Sequence, residues 1–164
     1  MSKPYQFCPM CTDSLAKNKE GYLACTNETC NFVHYENPTP VVGAIVEYEE
    51  EAVVLVQSVG WPSHWYGLVT GFLEKHEHPE EAVLREVWEE IGLKAELVEF
   101  RGHYSFEQMN QIIMIYHVKA SGPIVKGDEL ADYKVVPIER ARGWEAATGI
   151  ALDKWLQERR DSDS

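Results

Sequence analysis

The chain has 164 residues and a formal net charge of −12 at pH 7, which leaves room for one domain of ordinary size and a small appendage. This charge argues against a nucleic-acid groove or an anionic membrane as the main partner, because phosphate groups attract Lys and Arg. No apolar leader opens the sequence and no run reaches the length of a membrane span. A cytoplasmic protein is therefore the default expectation.

All four cysteines fall within the first 30 residues, in two close pairs, Cys8 with Cys11 and Cys25 with Cys30. Two such pairs, with a short strand expected at 21–24, are typical of a structural Zn²⁺ site with four thiolate ligands. The alternatives are ordinary buried thiols or two disulfides, which a reducing compartment disfavours. The spacing predicts a zinc ribbon over residues 1–37 that depends on its metal, because so short a segment buries little surface.

The two prolines in Asn37-Pro-Thr-Pro block helix formation and mark a boundary, so we expect a second domain over residues 38–164. Runs rich in β-branched residues at 41–48 and 52–58 predict a hairpin of a central sheet. The acidic turn Glu49-Glu50-Glu51 lies between them.

The next strong pattern is a helix within residues 71–93. Pro79 suits a first helical position and Gly92 suits a stop. At about 100° per residue, the apolar side chains share one arc, which should face the core; they are Val83, Leu84, Val87, Trp88 and Ile91. The opposite arc carries Ala82 and three glutamates.

These glutamates, Glu86, Glu89 and Glu90, would repel one another unless a cation lay among them. Mg²⁺ is the natural ion because it prefers oxygen ligands and leaves positions for water and phosphate. Arg85 precedes Glu89 by four residues and can orient its carboxylate. An acidic, solvated helix face is the ordinary alternative.

The spacing over residues 71–93 decides against that alternative. It fits Gly-x5-Glu-x7-Arg-Glu-aliphatic-x-Glu-Glu-x-Gly-aliphatic at every constrained position, namely Gly71, Glu77, Arg85, Glu86, Val87, Glu89, Glu90, Gly92 and Leu93. This resembles the Nudix box. The resemblance implies Mg²⁺ or Mn²⁺ bound by the three helix glutamates, with a main-chain carbonyl near Gly71 directed to the metal. It also implies a pyrophosphatase that cleaves a nucleoside diphosphate linked to another group.

Residues before the box add to the resemblance. Trp65, Leu68 and Gly71 match a tryptophan, a leucine and a glycine that are common in the family, and Glu74 matches a frequent acidic position. A solvated loop charge is the alternative for Glu74. Lys75-His76 stands where the family often has glycine, so the loop conformation stays open.

After the box, strands are predicted at 94–106, 111–120 and 131–138, with a turn at 107–110. An amphipathic helix is predicted at 146–159, and the residues from Asp161 onward should fray. This order of elements indicates an α/β/α sandwich around a mixed β-sheet, which the Nudix resemblance also implies.

A zinc ribbon ahead of a Nudix domain looks like the NADH pyrophosphatase group. That group carries Ser-Gln-Pro-Trp-Pro-Phe-Pro-x-Ser after the box, whereas this chain has His103-Tyr-Ser-Phe-Glu-Gln-Met-Asn-Gln. The substrate class is therefore kept wide: a dinucleotide or related nucleoside diphosphate derivative such as FAD, ADP-ribose or NADH. Relatives of this kind often pair, so a homodimer is expected.

Candidates for the general base are Glu129, Glu77 and a box carboxylate, and an exposed loop charge is the alternative for Glu129. Trp65, Tyr104 and Phe106 could stack on an adenine or flavin ring, although buried aromatic residues more often belong to a core.

Two other functions compete with a diphosphatase. One is a non-catalytic module that senses a nucleotide, which the complete set of box carboxylates disfavours. The other is decapping of RNA that bears a 5′ nucleotide cofactor, and the acidic charge together with a nearly neutral ribbon speaks against nucleic acid.

Overall fold

The computed structural model describes residues 5–162. The chain separates into two compact units after Pro38. No helix of the described residues is long and apolar enough to cross a membrane.

The first unit contains a small antiparallel sheet of three strands among its described residues. The strands are β1 (Leu15–Lys17), β2 (Leu23–Cys25) and β3 (Val33–His34), with β2 in the middle. The strand expected at 21–24 thus begins two residues later, because Gly21 adopts a φ of 92° in the turn that joins β1 to β2. Asn18 stabilises this turn by accepting the backbone N–H groups of Glu20 and Tyr22 at 3.1 and 3.0 Å.

The second unit holds a mixed sheet with a helix on each face. Its elements are β4 (Thr39–Tyr48), β5 (Ala52–Ser58), β6 (Val69–Phe72), α1 (Pro79–Ile91), β7 (Glu96–Phe106), β8 (Gln111–Ala120), β9 (Leu130–Pro137) and α2 (Ala147–Ser162). Over the described residues the strand order is β7-β8-β4-β5-β9, and β6 pairs with the first half of β4. β4 and β8 run parallel, and the other neighbours are antiparallel.

Two apolar layers hold the sandwich together. One face of β4 carries Val42, Ala44 and Val46 and packs against α1, whereas the other face carries Val41 and Ile45 and packs against α2. This division follows from the alternation of side chains along a strand. The predicted α/β/α sandwich, the β4–β5 hairpin and the interior position of β8 are confirmed.

The element boundaries differ from the sequence predictions in a few places. The turn expected at 107–110 contains a short 3₁₀ helix, Glu107–Met109. The strand β6 was not predicted, because it has only four residues and includes Gly71. The last helix continues through Ser162, so the fraying predicted from Asp161 is wrong for the first two of those residues. Asp163 and Ser164 lie outside the described residues.

Helix α1 begins at Pro79 and ends before Gly92, as predicted. Gly92 has a φ of 67°, and its N–H donates to the Trp88 carbonyl at 2.9 Å. The predicted orientation of the helix is partly wrong, because Trp88 is 53% exposed whereas Ala82 is fully buried. The small Ala82 lets the helix turn its glutamate side toward the sheet, and Glu90 is only 8% exposed as a result.

Candidate active site

Arg85 is the central cation of the box. Its guanidinium makes five hydrogen bonds: two to the Glu77 carboxylate at 2.8 and 2.9 Å, one each to Glu86 and Glu89 at 2.7 and 3.0 Å, and one to the Phe72 carbonyl at 3.2 Å. The hydrogen bonds to Glu77 chiefly raise the pKa of Arg85. This planar group therefore fixes the loop before α1 against the helix and orients two of its glutamates.

Glu77 is held in place by these contacts. Hydrogen bonds from Arg85 lower its pKa, and Glu77 also accepts the Glu74 backbone N–H at 3.1 Å. Because both of its oxygens accept hydrogen bonds from Arg85, Glu77 stabilises the loop from 74 to 78.

Gly71 lies against the carboxylate of Glu86. A Cβ atom at Gly71 would come within 1.8 Å of the Glu86 carboxyl carbon, a distance at which two carbons cannot coexist. Glycine is therefore required because the helix carboxylate approaches the backbone of β6. Burial is the main cause that raises the pKa of Glu86, and the charges of Glu89 and Glu129 add to it.

Glu90 is the most deeply buried carboxylate of the box. Burial raises its pKa to about 8, and the charges of Glu86, Glu129 and Glu89 act in the same direction. A hydrogen bond from the Thr70 backbone opposes this shift. Its Oε2 atom is buried and has no hydrogen-bond partner among residues 5–162.

Glu86, Glu89, Glu90 and Glu129 together line a cleft of about 200 Å³. Glu129 reaches it from the turn before β9, far from the box in sequence. The oxygens of these glutamates are less tightly gathered than the cysteine sulfurs, which form the one group within the described chain whose ligand atoms all lie within 4.8 Å. An acidic cleft of this size has space for cations and phosphate oxygens between the carboxylates.

The residues predicted to contact substrate lie elsewhere. Tyr104 and Phe106 are half-buried in β7 and pack on the α2 face, and the Tyr104 hydroxyl donates to the Arg101 carbonyl at 3.3 Å. Trp65 is 57% exposed in the loop before β6, and Glu74 is exposed in the loop before α1. None of these four lines the carboxylate cleft, whose described lining consists of glutamates.

Sequence reasoning missed Phe72, which is 60% exposed at the end of β6. In the register of the sheet, Phe72 pairs with Val41, Val41 with Ile113, and Ile113 with Tyr104. The four side chains therefore form one row on the α2 face. Phe72 follows Gly71 directly in β6, but its exposed side chain lies on the sheet face opposite to α1. Without β6, no sequence signal could indicate which face it occupies.

His76 adopts a backbone conformation that favours glycine. Its φ is 68°, in the left-handed region that non-glycine residues occupy at a cost. The loop conformation that the sequence left open is therefore a left-handed turn at His76.

The cysteine cluster lies in the first unit. The Sγ atoms of Cys11 and Cys25 are 3.4 Å apart and those of Cys8 and Cys30 are 3.7 Å apart, and all four thiols are free. Tetrahedral Zn²⁺ with bonds of about 2.3 Å requires sulfurs about 3.8 Å apart. The arrangement is consistent with a zinc site, and disulfides are not formed.

Comparisons with known proteins agree with this geometry. The family model described as NUDIX domain matches residues 37–158, which is most of the chain. The chain therefore belongs to the NUDIX domain family.

Two curated relatives carry the name NAD-capped RNA hydrolase NudC. The protein from Mannheimia succiniciproducens is 28% identical over 139 residues, 80% of this chain and 52% of its own length. The protein from Pseudomonas aeruginosa is 28% identical over 160 residues, 94% of this chain and 56% of its own length. The chain spans about half the length of the curated relatives it matches.

A solved NUDIX hydrolase from Nitrosomonas europaea superposes with a TM-score of 0.80 at 24% identity, covering 96% of this chain and 93% of that one. This similarity shows a shared fold over both units of the chain.

Proposed function

We propose that this protein is a metal-dependent diphosphatase that hydrolyses the diphosphate of a nucleoside diphosphate derivative. Dinucleotides and related compounds such as FAD, ADP-ribose and NADH form the proposed substrate class. The cleft lined by Glu86, Glu89, Glu90 and Glu129 carries this proposal. Four carboxylates in one cleft repel a diphosphate, so substrate binding there requires cations.

The residues fit Mg²⁺ or Mn²⁺. The cleft offers oxygen ligands only, Gly71 leaves the space in which Glu86 lies, and the Glu90 Oε2 atom is buried without a hydrogen-bond partner in the described chain. Hard divalent cations prefer such ligands. When bound by Glu86, Glu89 and Glu90, with the main-chain carbonyl at Gly71 as a further proposed ligand, such ions would neutralise the diphosphate and lower the pKa of a bound water.

Glu129 is the proposed proton acceptor. It lines the cleft, whereas Glu77 has both oxygens engaged by Arg85. In the proposed reaction Glu129 takes a proton from water, the water oxygen bonds to one phosphorus, and the bond from that phosphorus to the bridging oxygen breaks. The products are two phosphate monoesters. Arg85 contributes by keeping Glu86 and Glu89 oriented.

The planar ring of the substrate is proposed to bind along the row formed by Phe72, Val41, Ile113 and Tyr104. Phe106 lies two residues beyond Tyr104 in the same strand. Phe72 is exposed and adjoins the residue that touches Glu86, and aromatic side chains stack well on flat rings. Trp65 and Glu74 are exposed on loops at either end of β6, where they are proposed to contact the part of the substrate beyond the diphosphate.

A second candidate is the removal of a nucleotide cap from RNA, which the names of the two relatives favour. The net charge of −12 weighs against a long nucleic-acid contact. The two candidates share their chemistry and differ in what lies beyond the diphosphate.

The test is hydrolysis of FAD, ADP-ribose, NADH, NAD⁺ and a short RNA with a 5′ NAD cap, each with Mg²⁺, with Mn²⁺ and with EDTA. Products are identified by chromatography. We expect paired phosphate monoesters from at least one substrate, only with metal, and loss of turnover in Glu89→Gln. The matched control is Glu96→Gln, an exposed glutamate outside the box, which should keep full activity. Turnover in EDTA equal to that with metal would contradict the proposal.

The cysteine cluster is proposed to hold one structural Zn²⁺ through Cys8, Cys11, Cys25 and Cys30. Elemental analysis of protein purified under reducing conditions should find one zinc per chain, and Cys8→Ser should abolish it while diphosphatase activity persists.

A homodimer is the proposed assembly, so light scattering should give twice the chain mass of 18.8 kDa.

A further inference from the structure

The loop from Val125 to Leu130 is hydrogen-bonded to the C-terminal end of α1. The Val125 N–H donates to the Ile91 carbonyl at 3.0 Å, and the Gly127 N–H donates to the Glu90 carbonyl at 2.8 Å. The last carbonyls of a helix have no partners within it. The loop supplies those partners, and it does so at the turn of α1 that carries Glu89 and Glu90.

The same loop is closed on its other side. The Lys126 ammonium donates to the Leu130 carbonyl at 2.6 Å, and the Leu130 N–H donates to the Gly127 carbonyl at 3.3 Å. The carbonyl of Glu129 accepts the Val59 N–H at 2.9 Å. The backbone of Glu129 is therefore fixed relative to the helix that carries the other cleft carboxylates.

Gly127 permits this attachment because it has no side chain. A Cβ atom there would lie 2.4 Å from the Glu89 carbonyl oxygen and 3.3 Å from the Glu90 carbonyl oxygen. Both atoms belong to helix backbone, which cannot move aside as the end of a flexible side chain can. Gly127 does not have a positive φ, so the requirement is for space and not for an unusual backbone conformation.

We propose that Gly127 is a positioning residue that sets the place of the Glu129 carboxylate opposite Glu86 and Glu90. This role rests on the proposed function, in which Glu129 accepts a proton. A side chain at position 127 would push the loop from the helix by the overlap it creates, and displacement of a catalytic group by about 1 Å can cost on the order of 100-fold in rate. The Glu86 and Glu89 carboxylates of α1 would keep their places, because Arg85 donates a hydrogen bond to each of them.

The test is a double-mutant cycle of Gly127→Ala and Glu129→Gln, with kcat and KM measured on the best substrate at saturating Mg²⁺. We expect Gly127→Ala to lower kcat by roughly 10- to 100-fold with little change in KM. In the Glu129→Gln background the same change should have no further effect, because the carboxylate that it misplaces is already gone. Asp128→Ala, an exposed neighbour in the same turn, is the control and should match the wild type.

Two further measurements separate positioning from loss of folding. Lys126→Met removes one loop contact without adding bulk, and it should lower kcat several-fold in the wild type but not in Glu129→Gln. Amide exchange followed by NMR should show the Val125 N–H protected in the wild type and exposed in Gly127→Ala, with α1 unchanged. Unaltered kcat in Gly127→Ala, or additive losses in the cycle, would overturn the role of Gly127 but leave the proposed function standing. An inactive wild type would overturn the proposed function, and that role with it.

Discussion

Two buried glutamates lie on opposite faces of the same sheet and have opposite surroundings. Glu47 of β4 is 1% exposed, and its carboxylate is 2.6 Å from the His117 ring and 2.7 Å from the Arg159 guanidinium, the latter an ion pair that is not aligned as a hydrogen bond. Glu90 of α1 is 8% exposed and faces three other carboxylates. The Arg159 guanidinium compensates the charge of Glu47, whereas no cationic group of the described residues is paired with Glu90.

The difference separates a structural site from the proposed active site. A paired buried charge stays because removing either partner would leave the other uncompensated. An unpaired carboxylate among like charges lowers stability, and such groups concentrate where a protein binds or reacts. Burial raises the pKa of Glu90 and lowers the pKa of His117, although Glu47 partly offsets the shift at His117.

The largest expected effect is on turnover in Glu90→Gln. The substitution removes a proposed metal ligand without opening a cavity, so kcat should fall on the order of 10³-fold. The unfolding free energy of the metal-free protein should stay the same or rise, because glutamine is neutral and avoids the cost of burying a carboxylate or keeping it protonated. Steady-state kinetics and urea unfolding measure the two quantities. Near-normal kcat at saturating metal would remove Glu90 from the site.

Glu47→Gln should have the reverse pattern. Breaking a buried ion pair typically costs about 3 kcal/mol of unfolding free energy, whereas kcat per folded molecule should not change, because Glu47 faces α2. The control is Glu50→Gln, which removes an exposed partner of Lys119 and should cost under about 1 kcal/mol. Equal losses in both variants would mean that the buried cluster contributes no special stability.

The pH dependence of stability should also distinguish Glu90. In the metal-free protein its pKa is about 8 against an ordinary value of 4.5, so the folded state retains a proton that the unfolded chain releases. The stability that this retained proton gives the folded state is fully present below about pH 4.5 and is lost as pH rises toward about 8. As pH rises over this range, the unfolding free energy of the wild type should therefore fall relative to that of Glu90→Gln. Added Mn²⁺ should reverse the trend, and a difference independent of pH would contradict the assignment.

The smallest effect is expected at His76. Replacing it by glycine relieves a left-handed conformation, which is worth up to about 1 kcal/mol before the entropy of the more flexible unfolded chain is subtracted. Thermal unfolding should show a small rise in stability. Lys75→Gly, at a neighbouring position without a positive φ, should instead lower stability.

The sequence predicted most of what depends on nearby residues. Pro79 and Gly92 marked the ends of α1, and β-branched runs marked β4 and β5. The rotation of α1 could not be predicted, because it follows from the fit of Ala82 against the sheet and leaves Trp88 in solvent. Helical periodicity alone favoured an apolar arc that included Trp88.

Contacts between residues that are distant in sequence could not be predicted either. The pairing of Glu47 with His117 joins positions 70 residues apart, and neither residue carries a local signal of it. Glu129 was named as a candidate from its loop, but its approach to Glu86 and Glu90 depends on the docking of Gly127. The face of Phe72 depends on the unpredicted strand β6.

The contacts of Arg85 also have a consequence for the order of folding. All its hydrogen-bond acceptors lie within 13 residues of it along the chain, so this part of the site can assemble from a short segment with little loop-closure entropy. Glu129 reaches the cleft only when β9 has paired with β5, at the edge of the sheet opposite to β7. A refolding chain should therefore regain the capacity to bind Mn²⁺ before it regains hydrolysis, and the interval between the two would measure the closure of the sheet.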